Sequence, residues 1–259
     1  MNLLAFDTST DSLSIAVQRG QGAAALVWQH SAAGGANASL VLIPALQALM
    51  AQADLQFCEL SAIAFGAGPG TFTGLRTACS VAQGLAFAAN VPVLAVDSLL
   101  AVAETARWQQ GLTAAFTMTA MLDARMDEIY TADYCFDGMD WHSTRCQRII
   151  LPEQLDRHGD WLAGNVFTIY GERLPSDVFR ETALPSATAL LRLAPAMLMN
   201  GCGLPAEKAL PTYIRDKVAY TTEERIARTA VAPPAHDHNR QSLATSVIRS
   251  IGNHAVPPP

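Results

Sequence analysis

Two short stretches hold groups that could do chemistry: Asp7-Thr8-Ser9-Thr10, which follows the apolar run NLLAF, and GAGPGTFTGLR at 66–76. An aspartate and hydroxyls at the end of a first strand could hold a metal-bound phosphate, and glycines leading into a helix could leave backbone N–H groups free for an anion. The glycine stretch fails both common phosphate signatures. A P-loop requires GxxxxGK[ST], and the chain's only lysines are Lys208 and Lys217, so no such loop stands before them. The dinucleotide fingerprint GxGxxG fails too, since Gly66-x-Gly68 is followed by Thr71 and Gly68-x-Gly70 by Thr73. What remains is a turn on Gly66, Gly68, Pro69 and Gly70 and a helix capped by Thr71 or Thr73, whose N-terminus could hold an anion weakly. Arg76 falls in the first turn, where the helix dipole disfavours a cation, and calls for an acidic or carbonyl partner.

Other chemistries lack their parts. The six histidines, His30, His142, His158, His236, His238 and His254, contain no HxxxH pair, and His236-x-His238 has no third ligand in view; no metal site is expected. Ser9, Ser80 and Cys79 have no identifiable base, which argues against a protease. The cysteines, Cys58, Cys79, Cys135, Cys146 and Cys202, are odd in number and form no CxxC pair, so disulfides and zinc are not expected. An actin-like ATPase needs an acid after strand one, a second Asp-x-Gly turn and a glycine-rich adenosine loop. Asp7 suits the first; Asp123-Ala124-Arg125 lacks the glycine of the second; the third has no counterpart near Gly164, Gly171 or Gly201-Cys202-Gly203. Asp7 could equally bond turn amides. Asp123, Arg125, Asp127 and Glu128 could equally be a salt-linked hairpin tip. No catalytic residue is assigned.

The elements that must position these groups follow from periodicity. NLLAF, SLSIAVQRG and AAALVWQH read as a meander of three strands. Asn37–Ala53 has helical length, SAIAF and VPVLAV read as buried strands, and Thr73–Ala89 is a helix of small residues. The order βββαβαβ is half of a ribonuclease-H/actin-like plan. The second half predicts a hairpin turning near 123–127, a helix in PEQLDRHGDWL, a strand in FTIYGE and a helix in SATALLRLAPAMLMNG interrupted at Pro195. A lobe over 1–100, a degenerate lobe over 101–220 and a poorly packed Pro- and His-rich tail over 221–259 are expected. Both N-terminal helices are apolar nearly all round, Leu42, Leu46 and Leu49 lying on one side of the first. Such helices must be covered on more than one side, within the domain or by a partner.

The 259 residues carry a net charge of -6, and without a basic run this chain is a poor sole binder of a polyanion. Gln83, Gly84, Asn90 and Pro92 interrupt the uncharged run Thr77–Val96, so no membrane helix is expected. The first thirty residues lack a basic n-region, and a cytoplasmic location is expected.

The blocks LLAFDTSTDSLSIAV, GAGPGTFTGLRTACSVAQGLA, VPVLAVDSL, LDARMDEIY and LPTYIRDKVAY, in this order from Leu3 to Tyr220, resemble the TsaB (YeaZ) family of tRNA threonylcarbamoyladenosine biosynthesis proteins. The resemblance implies an α/β, actin-like (ASKHA, ribonuclease H-like) fold of two lobes, the second degenerate. It implies a non-catalytic, activating partner of the paralogue TsaD, which transfers threonylcarbamoyl to the adenosine next to the anticodon of ANN-reading tRNAs. A small ATPase, TsaE, joins the complex, and tRNA is held mainly by the partner. No tightly bound cofactor is implied for this chain; ATP and Mg would enter at the level of the complex. The heterodimer bundle would use Asn37–Ala53 and Thr73–Ala89, which places the interface at Leu42, Leu46, Leu49, Arg76, Cys79, Ala82, Gln83 and Ala86. A homodimer through the same helices is an alternative for the isolated chain. Asp7, Thr8, Ser9, Gly70, Thr71, Asp123 and Arg125 would then be a vestigial nucleotide or anion site. The rival reading is a small-molecule kinase or ATPase of the same fold.

Overall fold

The computed structural model describes residues 1–35, 38–156 and 159–214. The expected tail at 221–259, with His236 and His238, lies outside the described residues. Strands β1 (Leu3–Asp7), β2 (Ser12–Arg19), β3 (Leu26–Ala33), β4 (Ala62–Gly68) and β5 (Val93–Asp97) form one sheet in the order β3-β2-β1-β4-β5. The first three are antiparallel, whereas β4 pairs parallel with both β1 and β5. Helices α1 (Ala38–Gln52) and α2 (Phe72–Ala89) make the intervening crossovers, as the periodicity predicts.

All five residues of β1 are buried, which requires cover on both faces of the sheet. Side chains alternate across a strand. Leu4 and Phe6 accordingly pack with Leu42, Leu46, Ala78 and Ala82 of α1 and α2, while Leu3 and Ala5 face Leu190, Leu191 and Ala194 of helix α5 (Ala187–Met199). Pro195 lies inside α5 rather than interrupting it. Burial of Leu190, Leu191, Leu193 and Ala194 around it offsets the backbone hydrogen bond that a proline removes.

Helix α3 (Ser98–Gln109) is an addition to the sequence reading. Asp97 caps it, accepting the Leu99 N–H at 2.8 Å. The stripe Leu99, Val102, Ala103 and Ala106 packs on the second sheet, and Ala101 belongs to the core under the first. That second sheet comprises β6 (Phe116–Arg125), β7 (Glu128–Phe136), β8 (Trp141–Ile150), β9 (Trp161–Gly164) and β10 (Phe179–Thr182), in the order β10-β9-β6-β7-β8. The β6–β7 hairpin turns where predicted.

Two expectations fail here. PEQLDRHGDWL contains a 3-10 turn at Pro152–Gln154 followed by β9, because Leu162 and Ala163 find parallel partners in Thr119 and Ala120. FTIYGE begins with the short helix α4 (Phe167–Tyr170) instead of a strand. There Val166 and Tyr170, four apart, share one core with Leu155 and Leu174, a helical spacing that outweighs the strand preference of the residue types. Two mixed sheets with helices between and around them, the first in this order, make the chain an α/β protein of the actin-like class.

Candidate functional site

Strand β1 delivers Asp7 to the point where the glycine turn leaves β4. Asp7 Oδ1 accepts the backbone N–H of Ser9 at 2.8 Å and its hydroxyl at 2.7 Å. Oδ2 is buried without a partner, facing Gly66, where a Cβ would overlap it. Burial pushes the Asp7 carboxyl up to about 6, against the opposing pull of the two Ser9 bonds. Thr8 donates its hydroxyl to the Gly74 carbonyl at 2.7 Å, and a Cβ at Gly74 would overlap the Thr8 carbonyl oxygen. Gly70 backs onto Ser9, and Thr71 donates its N–H to the Ser9 carbonyl at 2.7 Å.

The structure thus brings Asp7, Thr8, Ser9, Gly70 and Thr71 into one knot, in which the Ser9 and Thr71 N–H groups and the Thr8 hydroxyl are already bonded to Asp7, Ser9 and Gly74. Thr71 is the N-cap of α2 yet makes no side-chain capping bond. Asx bonding of Asp7 to its own turn is the role its position supports. A strap over 204–214 seals the outer side: Thr212 donates its N–H to the Ala67 carbonyl at 2.7 Å, and its own carbonyl lies where a Cβ on Gly68 would be 2.5 Å away.

Asp123 and Arg125 stand apart from this knot, on the tip of the β6–β7 hairpin. Arg125, Met126 and Asp127 have φ of 61, 59 and 64°, a left-handed run that non-glycine residues enter at a cost. The surroundings hold it there. Asp123 Oδ1 accepts the Arg125 N–H at 2.8 Å, and Arg125 Nη2 reaches Asp11 Oδ2 at 2.7 Å, with Nη1 3.3 Å from Asp123 Oδ2. Arg173 grips Asp127 and Glu153. The tip is salt-linked and leans on the first hairpin through Asp11, so the Arg125 charge is already engaged.

The interface residues named from the resemblance need correction. Leu42, Leu46 and Leu49 on α1, and Cys79, Ala82 and Ala86 on α2, are at most 5% exposed. They point into this chain's own core, because the sheet beneath claims the same stripe that the pattern offered to a partner. Gln83 and Cys79 also bond the Ala209 carbonyl of the strap, at 2.8 and 3.4 Å. Arg76 is exposed, and its partners are Tyr213 Oη and the Phe72 ring rather than an acid or carbonyl.

Of the residues named, Arg76 lies on the outward stripe, whose other members are Leu40, Ile43, Pro44, Gln47, Ala48 and Ala51 on α1, and Thr73, Ser80, Gly84, Phe87 and Ala88 on α2. Leu40 is 74% and Phe87 79% exposed. No charged residue occurs in α1, and Arg76 is the one charge in α2. The absence of charge was visible in the sequence; the phase of the helices was not.

Among the described residues, no group of three His, Cys, Asp or Glu side chains is placed to share a metal ion, and no helix is long and apolar enough to cross a membrane.

Comparison with known proteins gives a consistent picture. A family model described as "TsaD: tRNA N6-adenosine threonylcarbamoyltransferase" matches residues 31–250. The tRNA threonylcarbamoyladenosine biosynthesis protein TsaB of Escherichia coli is 30% identical over 241 residues, covering 85% of this chain and 97% of the relative. The Haemophilus influenzae protein of the same name is 29% identical over 85% of this chain and 96% of its own length. The solved structure of YeaZ from Pseudomonas aeruginosa superposes with a TM-score of 0.73 at 37% identity, over 82% of this chain and 99% of that one.

Proposed function

Because the chain belongs to the TsaB/YeaZ family of tRNA threonylcarbamoyladenosine biosynthesis proteins, we propose that it is a non-catalytic, activating subunit of the cytoplasmic assembly that makes N6-threonylcarbamoyladenosine in tRNA. It docks on a TsaD-like paralogue through the outward faces of α1 and α2, and a TsaE-like ATPase joins the assembly. One observation carries this reading: two adjacent helices expose Leu40, Ile43 and Phe87 on a stripe whose single charge is Arg76. An apolar face of that extent on a chain of net charge -6 is the signature of a covered surface.

The packed knot at Asp7 supports the non-catalytic half of the reading. The Asp7 carboxyl and the Ser9 and Thr8 carbonyls crowd Gly66, Gly70 and Gly74, and the Ser9 and Thr71 N–H groups are already bonded. Transfer chemistry is accordingly assigned to the paralogue, and this chain's contribution is to stabilise the paralogue's active conformation.

Reconstitution tests the proposal. Purified paralogue, tRNA and the threonylcarbamoyl donor are assayed with and without this chain; modification is expected to depend on it. Full activity of the paralogue alone would sink the activating role. Turnover of Mg-ATP by this chain alone, lost in Asp7→Ala, would favour the kinase reading instead.

A further inference from the structure

Arg76 is the one charge on the outward stripe of α2, and two aromatic side chains hold it in place. Its guanidinium carbon lies 3.5 Å from the centroid of the Phe72 ring, one turn earlier, and its Nε–H is donated to Tyr213 Oη at 3.1 Å. The Phe72 and Tyr213 rings are 5.5 Å apart and both are nearly half exposed. These contacts fix the direction of a long side chain but bring no negative charge. Among the described residues no carboxylate pairs with it. Holding the side chain in advance removes part of the ordering cost of a later contact.

Resting on the reading that the outward α1–α2 face docks the paralogue, we propose that Arg76 takes a carboxylate of that partner and so selects the partner over a second copy of this chain. Neither α1 nor α2 contains Asp or Glu. Two copies meeting through these helices therefore bring each Arg76 against a helix surface without an acid. Taking a guanidinium out of water with no counter-charge is strongly unfavourable, whereas a hydrogen-bonded carboxylate offsets the loss and rejects partners that lack one. The fitting partner has an apolar helix pair with an Asp or Glu at the edge reached by the first turn of α2.

The test uses the full chain and the purified paralogue of the same organism. Binding is measured by calorimetry at low and high salt, and self-association by sedimentation velocity, for wild type, Arg76→Gln, Arg76→Lys and Ile43→Arg. Arg76→Gln is expected to weaken paralogue binding about tenfold or more and to flatten its salt dependence. Arg76→Lys recovers part of both, and self-association is not weakened by either change. Unchanged affinity and salt dependence in Arg76→Gln overturns the proposal, as does an equal loss in self-association. If Ile43→Arg abolishes paralogue binding while Arg76→Gln does nothing, only the role of Arg76 falls. If Ile43→Arg leaves binding intact, or wild type does not bind, the docking face and the proposal fall together.

Discussion

A buried carboxyl group ends β1 with no cation paired to it among the described residues. Asp7 is fully buried, spends one oxygen on Ser9 and leaves the other unpaired beside Gly66. Its folded pKa is raised from 3.8 to about 6, so the folded state holds its proton more tightly than the unfolded state does. The stability that this protonated group contributes is complete below pH 3.8 and is lost as pH rises through 6, about 3 kcal/mol in all. Asp7→Asn keeps an acceptor for Ser9 and cannot ionise. The stability difference between wild type and variant, from urea unfolding at pH 4 to 7.5, is therefore expected to shift in the variant's favour as pH rises. A difference independent of pH would refute the assignment. At this scale the sequence was informative about position and silent about state. The run before Asp7 showed that it ends a strand, but its unpaired oxygen faces Gly66, distant in the chain, which only the pairing of β1 with β4 brings alongside.

Helices α1 and α2 show where sequence patterns stop at the scale of the element. Their existence and approximate bounds were legible from length and capping signals, as was the β6–β7 hairpin. Their orientation was not, because a helix without charges has no polar side to mark its outside. Leu42 and Leu46 resemble Leu40 and Ile43 in type, and only the sheet beneath distinguishes them. The glycines of α2 differ in the same hidden way. Gly74 is pressed against the Thr8 carbonyl, whereas a Cβ on Gly84 meets nothing within 4 Å. Gly84→Ala is expected to stabilise the chain by about 0.5–1 kcal/mol through helix propensity. Gly74→Ala should destabilise it by roughly 1–3 kcal/mol, since buried backbone has to move. Thermal unfolding of the two variants checks the contrast, and a gain for Gly74→Ala would contradict the close packing of the knot. The misreadings of β9 and α4 have one cause: short segments take the structure that their neighbours' pairing and burial impose.

Across the whole molecule, Glu104 on α3 fastens three elements. It is buried and accepts bonds from Arg107 of its own helix, Arg192 of α5 and the indole N–H of Trp141 at the start of β8. Burial by itself would push its carboxyl up; the bonds from Arg107, Trp141 and Arg192 hold it below the usual range. Its contribution is present above the unfolded carboxylate range and lost as pH falls through the depressed value, opposite in sign to Asp7. Glu104→Gln strands two partly buried guanidinium groups and is expected to cost roughly 3–5 kcal/mol. Denaturant titration measures this, and a loss below about 1 kcal/mol would show that the cluster is dispensable. No sequence pattern announced this fastening, because its members come from three separate stretches of chain.

The strap over 204–214 fixes an order of events during synthesis. It forms an antiparallel bridge at Leu204 to Val93, lies along α2 through Ala209 and reaches Arg76 through Tyr213. α2 leaves the ribosome early, yet its flank is completed by residues made much later, Ala209 and Tyr213 among them. A nascent chain therefore cannot position Arg76 or complete the flank of α2 until Tyr213 has been made, so the face proposed for docking is finished long after α2 itself.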